Sequence, residues 1–197
     1  MSTAITVLMA NHNHGHFIGE ALRSIVTQDL PPREVIVVDD ASTDDTVSII
    51  QALAREYPAI RLIQSPTKSG GRELCRVLQE ALADWGGSYV YVAASDDALL
   101  PGFFSEAVDL LTRYPTAGVC VSNAVLVDEH GRPTQVQHQM SRLTRPCYLS
   151  PAEVLQQVKR EPWVHRWARH GVVSPGSVCR RRWTDSRAGA AQRLVRD

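Results

Sequence analysis

The stretch Val35-Ile36-Val37-Val38-Asp39-Asp40-Ala41-Ser42-Thr43-Asp44-Asp45-Thr46 carries the reading of the fold. Its first four residues are an unbroken, β-branched apolar run, the pattern of a strand covered on both faces in a parallel sheet. An acidic turn follows at once. Ser42, Thr43 or Asp44 can then cap a helix whose apolar positions are Val47, Ile49, Ile50, Leu53 and Ala54, and which stops near Pro58. Strand, polar turn and helix in that order predict one unit of an alternating α/β chain.

The same unit recurs on either side. Upstream, Ile5-Thr6-Val7-Leu8-Met9 reads as a buried strand and Asn11-His12-Asn13-His14-Gly15 as its loop; Phe17, Ile18, Ala21, Leu22, Ile25 and Val26 then fall at helical spacing before Pro31-Pro32. Downstream, Ile60-Arg61-Leu62-Ile63 predicts a third strand, followed by a Gly70-Gly71 loop and a helix through Leu74, Val77, Leu78, Ala81 and Leu82. Tyr89-Val90-Tyr91-Val92-Ala93 predicts a fourth strand that ends in Ser95-Asp96-Asp97, with Pro101 opening a helix through Phe104, Val108 and Leu111. The expected fold is α/β, a Rossmann-like, mostly parallel sheet with helices on both faces. Ligands of such sheets bind outside the carboxyl ends of the strands. Residues 11–16, 39–42 and 95–97 each follow a different strand and should therefore converge on one edge.

Farther on, residues 124–133 alternate and carry the Gly131 turn of a hairpin, residues 134–144 read as a polar connection, and Ser150-Pro151-Ala152-Glu153 has the order of a capping box opening a helix. The bulk properties agree with a globular enzyme-sized domain. At 197 residues, 44% hydrophobic and 21% charged, the chain is long and apolar enough to bury a core. Its 21 basic and 21 acidic residues cancel, so no overall field draws it to nucleic acid or an anionic membrane. No run reaches the length of a membrane span, and Met1-Ser2-Thr3-Ala4 lacks the marks of a secretion signal, which makes the cytoplasm the expected location and leaves peripheral membrane association open. Cys75, Cys120, Cys147 and Cys179 are far apart and read as reduced packing residues.

Asp96-Asp97 supplies two adjacent carboxylates, hard oxygen ligands suited to Mg2+ or Mn2+, and such an ion would neutralise a diphosphate. Asp39-Asp40 can accept hydrogen bonds from a base or ribose, and also matches a phosphoacceptor receiver domain; the latter needs an aspartate closing the third strand, where Gln64-Ser65 stands. His12, His14 and His16 read as polar loop residues rather than a metal site, with His12 lining a nucleotide pocket. Lys68 and Arg72 flank the glycine loop and can offset diphosphate charge. Trp163, His165, Arg166, Trp167 and Arg169 read as the amphipathic end of a helix.

Taken together, the strand-Asn11-His12-Asn13 loop, Val37 to Asp44, and Ala94-Ser95-Asp96-Asp97 with Pro101 following resemble the family 2 glycosyltransferases over about residues 4 to 133. The resemblance implies a GT-A fold, a nucleotide-diphospho-sugar donor (UDP- or dTDP-linked), Mn2+ or Mg2+, a glycan or other acceptor, and inversion at the transferred sugar. It implies donor contacts at Ala10, Asn11, His12, Asp40, Lys68, Arg72, Ser95 and Asp96, and metal contacts at Asp97 and Asp96. Residues 1–133 then form the nucleotide-sugar-binding core and 134–197 a partial acceptor-side region with an atypical tail. Two departures stand out. Ala94 occupies the first position of the family's Asp-x-Asp, and after residues 172–181 the Gly-Gly-Phe-Asp and Glu-Asp segments are replaced by a basic, Ala-rich tail. That tail suggests a truncation or altered reading frame; Asp185 is a poor substitute for the catalytic base, and a chain without turnover is the alternative expectation.

Overall fold

A computed structural model describes residues 5–68, 76, 80, 89–128, 131–137, 147–160 and 171–173. The elements form in the order β1 (Ile5–Asn11), α1 (Gly15–Val26), β2 (Glu34–Asp39), α2 (Thr46–Glu56), β3 (Ile60–Gln64), β4 (Tyr89–Ala94), α3 (Phe103–Arg113), β5 (Val119–Val121), β6 (Ala124–Val127), β7 (Pro133–Gln137), α4 (Pro151–Arg160) and β8 (Gly171–Val173). The unbroken apolar runs become parallel strands: β1 pairs with β2 and β4, and β2 with β3. The six-stranded sheet runs β3-β2-β1-β4-β8-β5, with β8 antiparallel to both neighbours, and β6 and β7 form a separate hairpin. A receiver-type sheet runs 2-1-3-4-5, so this order excludes the receiver alternative.

Alternation along the strands assigns the two faces. Val7, Met9, Val35, Val37, Tyr91 and Ala93 pack against Ile18, Leu22 and Ile25 of α1, Ile50 and Leu53 of α2, and Phe104, Val108 and Leu111 of α3. Each fully buried aliphatic or aromatic side chain there contributes about 1.5–3 kcal/mol relative to exposure. Leu8, Ile36, Val38 and Val90, on the opposite face, are buried as well. Burial on both faces is why these strands carry no polar alternation.

Two local expectations shift. The fourth helix unit starts at Phe103, not Pro101, because Gly102 holds φ 84°, a left-handed conformation that helical residues do not adopt. Ser42 and Thr43 do not cap α2: Asp45 precedes the helix without a side-chain cap bond, and only Asp44 reaches its first turn, accepting from the Thr46 amide at 3.1 Å. The capping box at α4 forms as read, Glu153 accepting from the Ser150 amide at 2.7 Å and hydroxyl at 2.6 Å. The polar connection expected at 134–144 begins instead as β7, through Gln137, and its remainder lies outside the described residues, as do the helix positions Leu74, Val77, Leu78, Ala81 and Leu82, the Gly70-Gly71-Arg72 loop, the 163–169 cluster and the tail with Asp185.

Candidate donor-binding site

The chain winds outward from β1 to β2 to β3 and then returns past β1 to β4. Strand order therefore reverses between β1 and β4, and the crevice at such a switch point is where open α/β sheets take ligands. The three polar turns meet on that edge.

Their contacts run in a chain. Asn11 donates to Asp39 Oδ1 at 2.8 Å, and Asp39, 1% exposed, also accepts from the Ser42 hydroxyl at 2.5 Å and the Ser42 amide at 3.0 Å. A buried carboxylate with three donors is a structural anchor. Its neighbour Asp40 is half-buried, and its amide donates to the Asn11 carbonyl at 2.9 Å, extending the ladder one step past the strand ends. The Asp39-Asp40 pair thus divides into a brace and a residue at the edge of the crevice. Ala41 follows with φ 59°, a strained turn for a residue with a Cβ.

Asn13 sits at φ 54° and is tied to the β2–α2 turn in both directions: its amide donates to Ser42 Oγ at 2.8 Å, and its side-chain oxygen accepts from the Thr43 amide at 2.8 Å. Gly15 donates its amide to Asp44 Oδ2 at 2.9 Å. That bond fills the α1 N-terminus with an internal anion, in the position where many dinucleotide folds seat a phosphate. Thr46, followed by the Gly15 amide, holds the Asp44 carboxyl below the usual carboxylate range. On the β4 side, His14 Nδ1 lies 2.6 Å from Ser95 Oγ, and Ser95 is only 3% exposed.

The expected donor residues divide by exposure. Ala10, Lys68, Asp96 and Asp97 are exposed, Asp40 and His12 half-buried, Asn11 and Ser95 buried. Lys68 Nζ lies 2.9 Å from His12 Nε2. An ammonium has no acceptor lone pair, so Lys68 donates in that contact. Burial first, and the Asp97 charge second, push the Tyr91 hydroxyl well above the ordinary tyrosine range, which places Asp97 within electrostatic reach of the core edge. Among the described residues no three His, Cys, Asp or Glu side chains gather as a metal cage. Asp96 and Asp97 are the right donor type for a hard cation, but two carboxylates leave most of its coordination to ligand oxygens and water. Ser65 was not anticipated: its amide donates to the Asp39 carbonyl at 2.8 Å and its buried hydroxyl has no hydrogen-bond partner.

A sequence profile described as Glycosyl transferase family 2 matches residues 6–173. The chain belongs to this family. The uncharacterized glycosyltransferase MG025 homolog of Mycoplasma pneumoniae is 33% identical over 103 residues, 51% of this chain and 34% of that protein. Among solved structures, S. aureus TarS 1-349 in complex with UDP-GlcNAc superposes with a TM-score of 0.64 at 23% identity, covering 87% of this chain and 45% of that one. Its complex with UDP matches at 26% identity and a TM-score of 0.57 over 71% of this chain and 40% of that one. The mannosyltransferase PcManGT of Pyrobaculum calidifontis, in complex with GDP-Man and Mn2+, superposes with a TM-score of 0.56 at 22% identity over 88% of this chain and 45% of that one. The chain spans less than half the length of these proteins. Their shared architecture is the GT-A fold, and the six-stranded sheet of this chain is that fold's central sheet.

Proposed function

We propose that this glycosyltransferase domain binds a nucleoside diphosphate-sugar in the β1/β4 crevice and takes part in transfer of the sugar to an acceptor hydroxyl. The observation that carries the reading is the meeting of the three polar turns at the switch point, linked by Asn13–Ser42 and His14–Ser95. Asp40, with Ala10, Asn11 and His12 beside it, takes the base and ribose. Ser95, Asp96 and Asp97 take the diphosphate side, and Lys68, with Arg72 beyond the described residues, adds positive charge. The base assignment to UDP or dTDP is supported by the UDP bound in the 26% identical TarS structure.

A divalent ion held by Asp96 and Asp97 would stabilise charge on the departing diphosphate. The protein's own share is orientation: the buried Asp39 brace fixes the turn that carries Asp40, and the β4 end presents the carboxylate pair. As the acceptor oxygen attacks the sugar carbon, the bond to the diphosphate breaks and the hydroxyl proton must pass to a base. Asp185 lies outside the described residues, and we assign that base to no described side chain.

Calorimetric titration of UDP, dTDP and GDP, with and without Mn2+, tests the reading. Tighter binding of at least one diphosphate with Mn2+, lost in Asp97→Ala, is expected. Absence of Mn2+-dependent binding by the unaltered protein for all three would overturn it. With only two carboxylates offered, Mn2+ alone should bind far more weakly than Mn2+ with nucleotide.

A further inference from the structure

The side chain of His14 meets Ser95, 81 residues on, at 2.6 Å. His14 is also the residue from which α1 starts, yet its side chain makes no cap bond to the helix. Its carbonyl alone serves α1, accepting from the Phe17 and Ile18 amides at 2.9 Å each. The imidazole meets the Phe17 ring of α1 edge-on, centres 6.3 Å apart, but caps no α1 amide.

Both flanking residues are fastened to the β2–α2 turn. Asn13 is held by Ser42 and Thr43, and Gly15 by Asp44. The His14 backbone is thereby fixed from two sides, relative to the same turn that Asp39 anchors beside Asp40. The His14 side chain then links this assembly to the end of β4, where the sheet's winding reverses. It ends on a buried hydroxyl directly before Asp96-Asp97.

We propose that His14 is a positioning residue that couples the two halves of the donor site: through Ser95 it sets where Asp96 and Asp97 stand relative to the base-side turn. The inference rests on the nucleotide reading of the crevice. Its physical content is that the carboxylates are exposed at a strand end and follow directly on the residue that meets His14. If Ser95 loses its partner, the β4 end gains freedom, and an ion shared between the carboxylates and a diphosphate loses preorganised oxygens. Base contacts at Asp40 do not pass through Ser95 and should be spared.

The test is a mutant cycle in the full chain, read as the dissociation constant of UDP, dTDP and GDP with and without Mn2+. The measured quantity is the gain in affinity that Mn2+ confers on the diphosphate that binds best. In His14→Ala and in Ser95→Ala that gain should fall about tenfold, the low end for loss of an outer hydrogen-bond partner at a metal site. In His14→Ala, which removes no residue assigned to the nucleotide, the metal-free affinity should stay within about twofold. The double variant should lose no more than either single one, because both break one bond. His14→Asn, whose amide can occupy the Nδ1 position and which suits a helix start, should recover the gain. Ser95→Ala leaves the α1 start untouched, so an effect shared by both sites does not come from a damaged helix.

An unchanged Mn2+ gain in His14→Ala, an equal loss with and without metal, additive losses in the double variant, or no recovery in His14→Asn would each overturn the coupling. Absence of any Mn2+ gain in the unaltered protein overturns the nucleotide reading, and this inference with it; the two failures are thus separable.

Discussion

Adjacent aspartates in this chain have opposite duties, and only their surroundings distinguish them. Asp39→Ala removes the acceptor of three hydrogen bonds in a buried site and leaves the Asn11 amide and Ser42 hydroxyl without it. That substitution should cost about 2–4 kcal/mol, read as a lowered denaturation midpoint in urea. Asp40→Ala should instead weaken nucleotide binding while costing less than about 1 kcal/mol of stability, as a half-buried edge position. A urea titration beside a nucleotide titration separates the two, and equal stability losses would refute the division. Ala41 supplies a second residue-scale test. At φ 59°, Ala41→Val forces a β-branched side chain into a conformation it rarely adopts and should destabilise by about 1–3 kcal/mol, whereas Ala41→Gly relaxes the turn.

Elements differ in how much tertiary support they have. The helix α4 starts on the reciprocal Ser150–Glu153 box, in which the Ser150 hydroxyl and then its amide hold the Glu153 carboxyl below its ordinary value of 4.5. A carboxyl with a depressed folded value stabilises above the unfolded value and stops doing so as pH falls through the lower, folded one. Helical signal from α4 should therefore decline on acidification below about 4.5 and be insensitive between neutral pH and that point. Glu153→Gln should flatten this dependence in circular dichroism. The β6–β7 hairpin stands at the other extreme. Val125, Leu126, Val127 and Val136 are exposed, and a lone two-stranded ribbon is marginal in water. Its amides should exchange with deuterium faster than those of β1 and β2, as mass spectrometry would measure; comparable protection would show that something covers it.

At the scale of the molecule, α3 is fastened to the sheet by an aromatic cluster, with Tyr91 lying 5.4 Å from Phe103 and 5.5 Å from Phe104, ring centre to ring centre. Phe104 is 0% exposed, so Phe104→Ala should cost about 3–5 kcal/mol in a thermal or chemical melt. Because Tyr91 belongs to the strand that ends in the carboxylate pair, the same variant should also lower Mn2+-dependent nucleotide affinity; an unaffected affinity would show that the β4 end is positioned independently of the core. The first four strands, their parallel arrangement and the crevice edge were legible in the chain, since mostly apolar stretches at 5–9, 35–38, 60–63 and 89–93 alternate with helical patterns and give way to polar residues. Hydrophobic periodicity is a local property, and any strand buried on both faces writes it into its own residues. The capping box is local in the same sense, whereas residues 134–137 of the hairpin's second strand read as a polar connection. Which aspartate is the brace, which histidine reaches β4, that Asp44 fills the α1 N-terminus, and that β8 inserts between β4 and β5 were decided by the tertiary structure alone. Each depends on side chains or strands that are distant along the chain and brought together by the winding of the sheet, and adjacency across a sheet leaves no periodic signature in either partner.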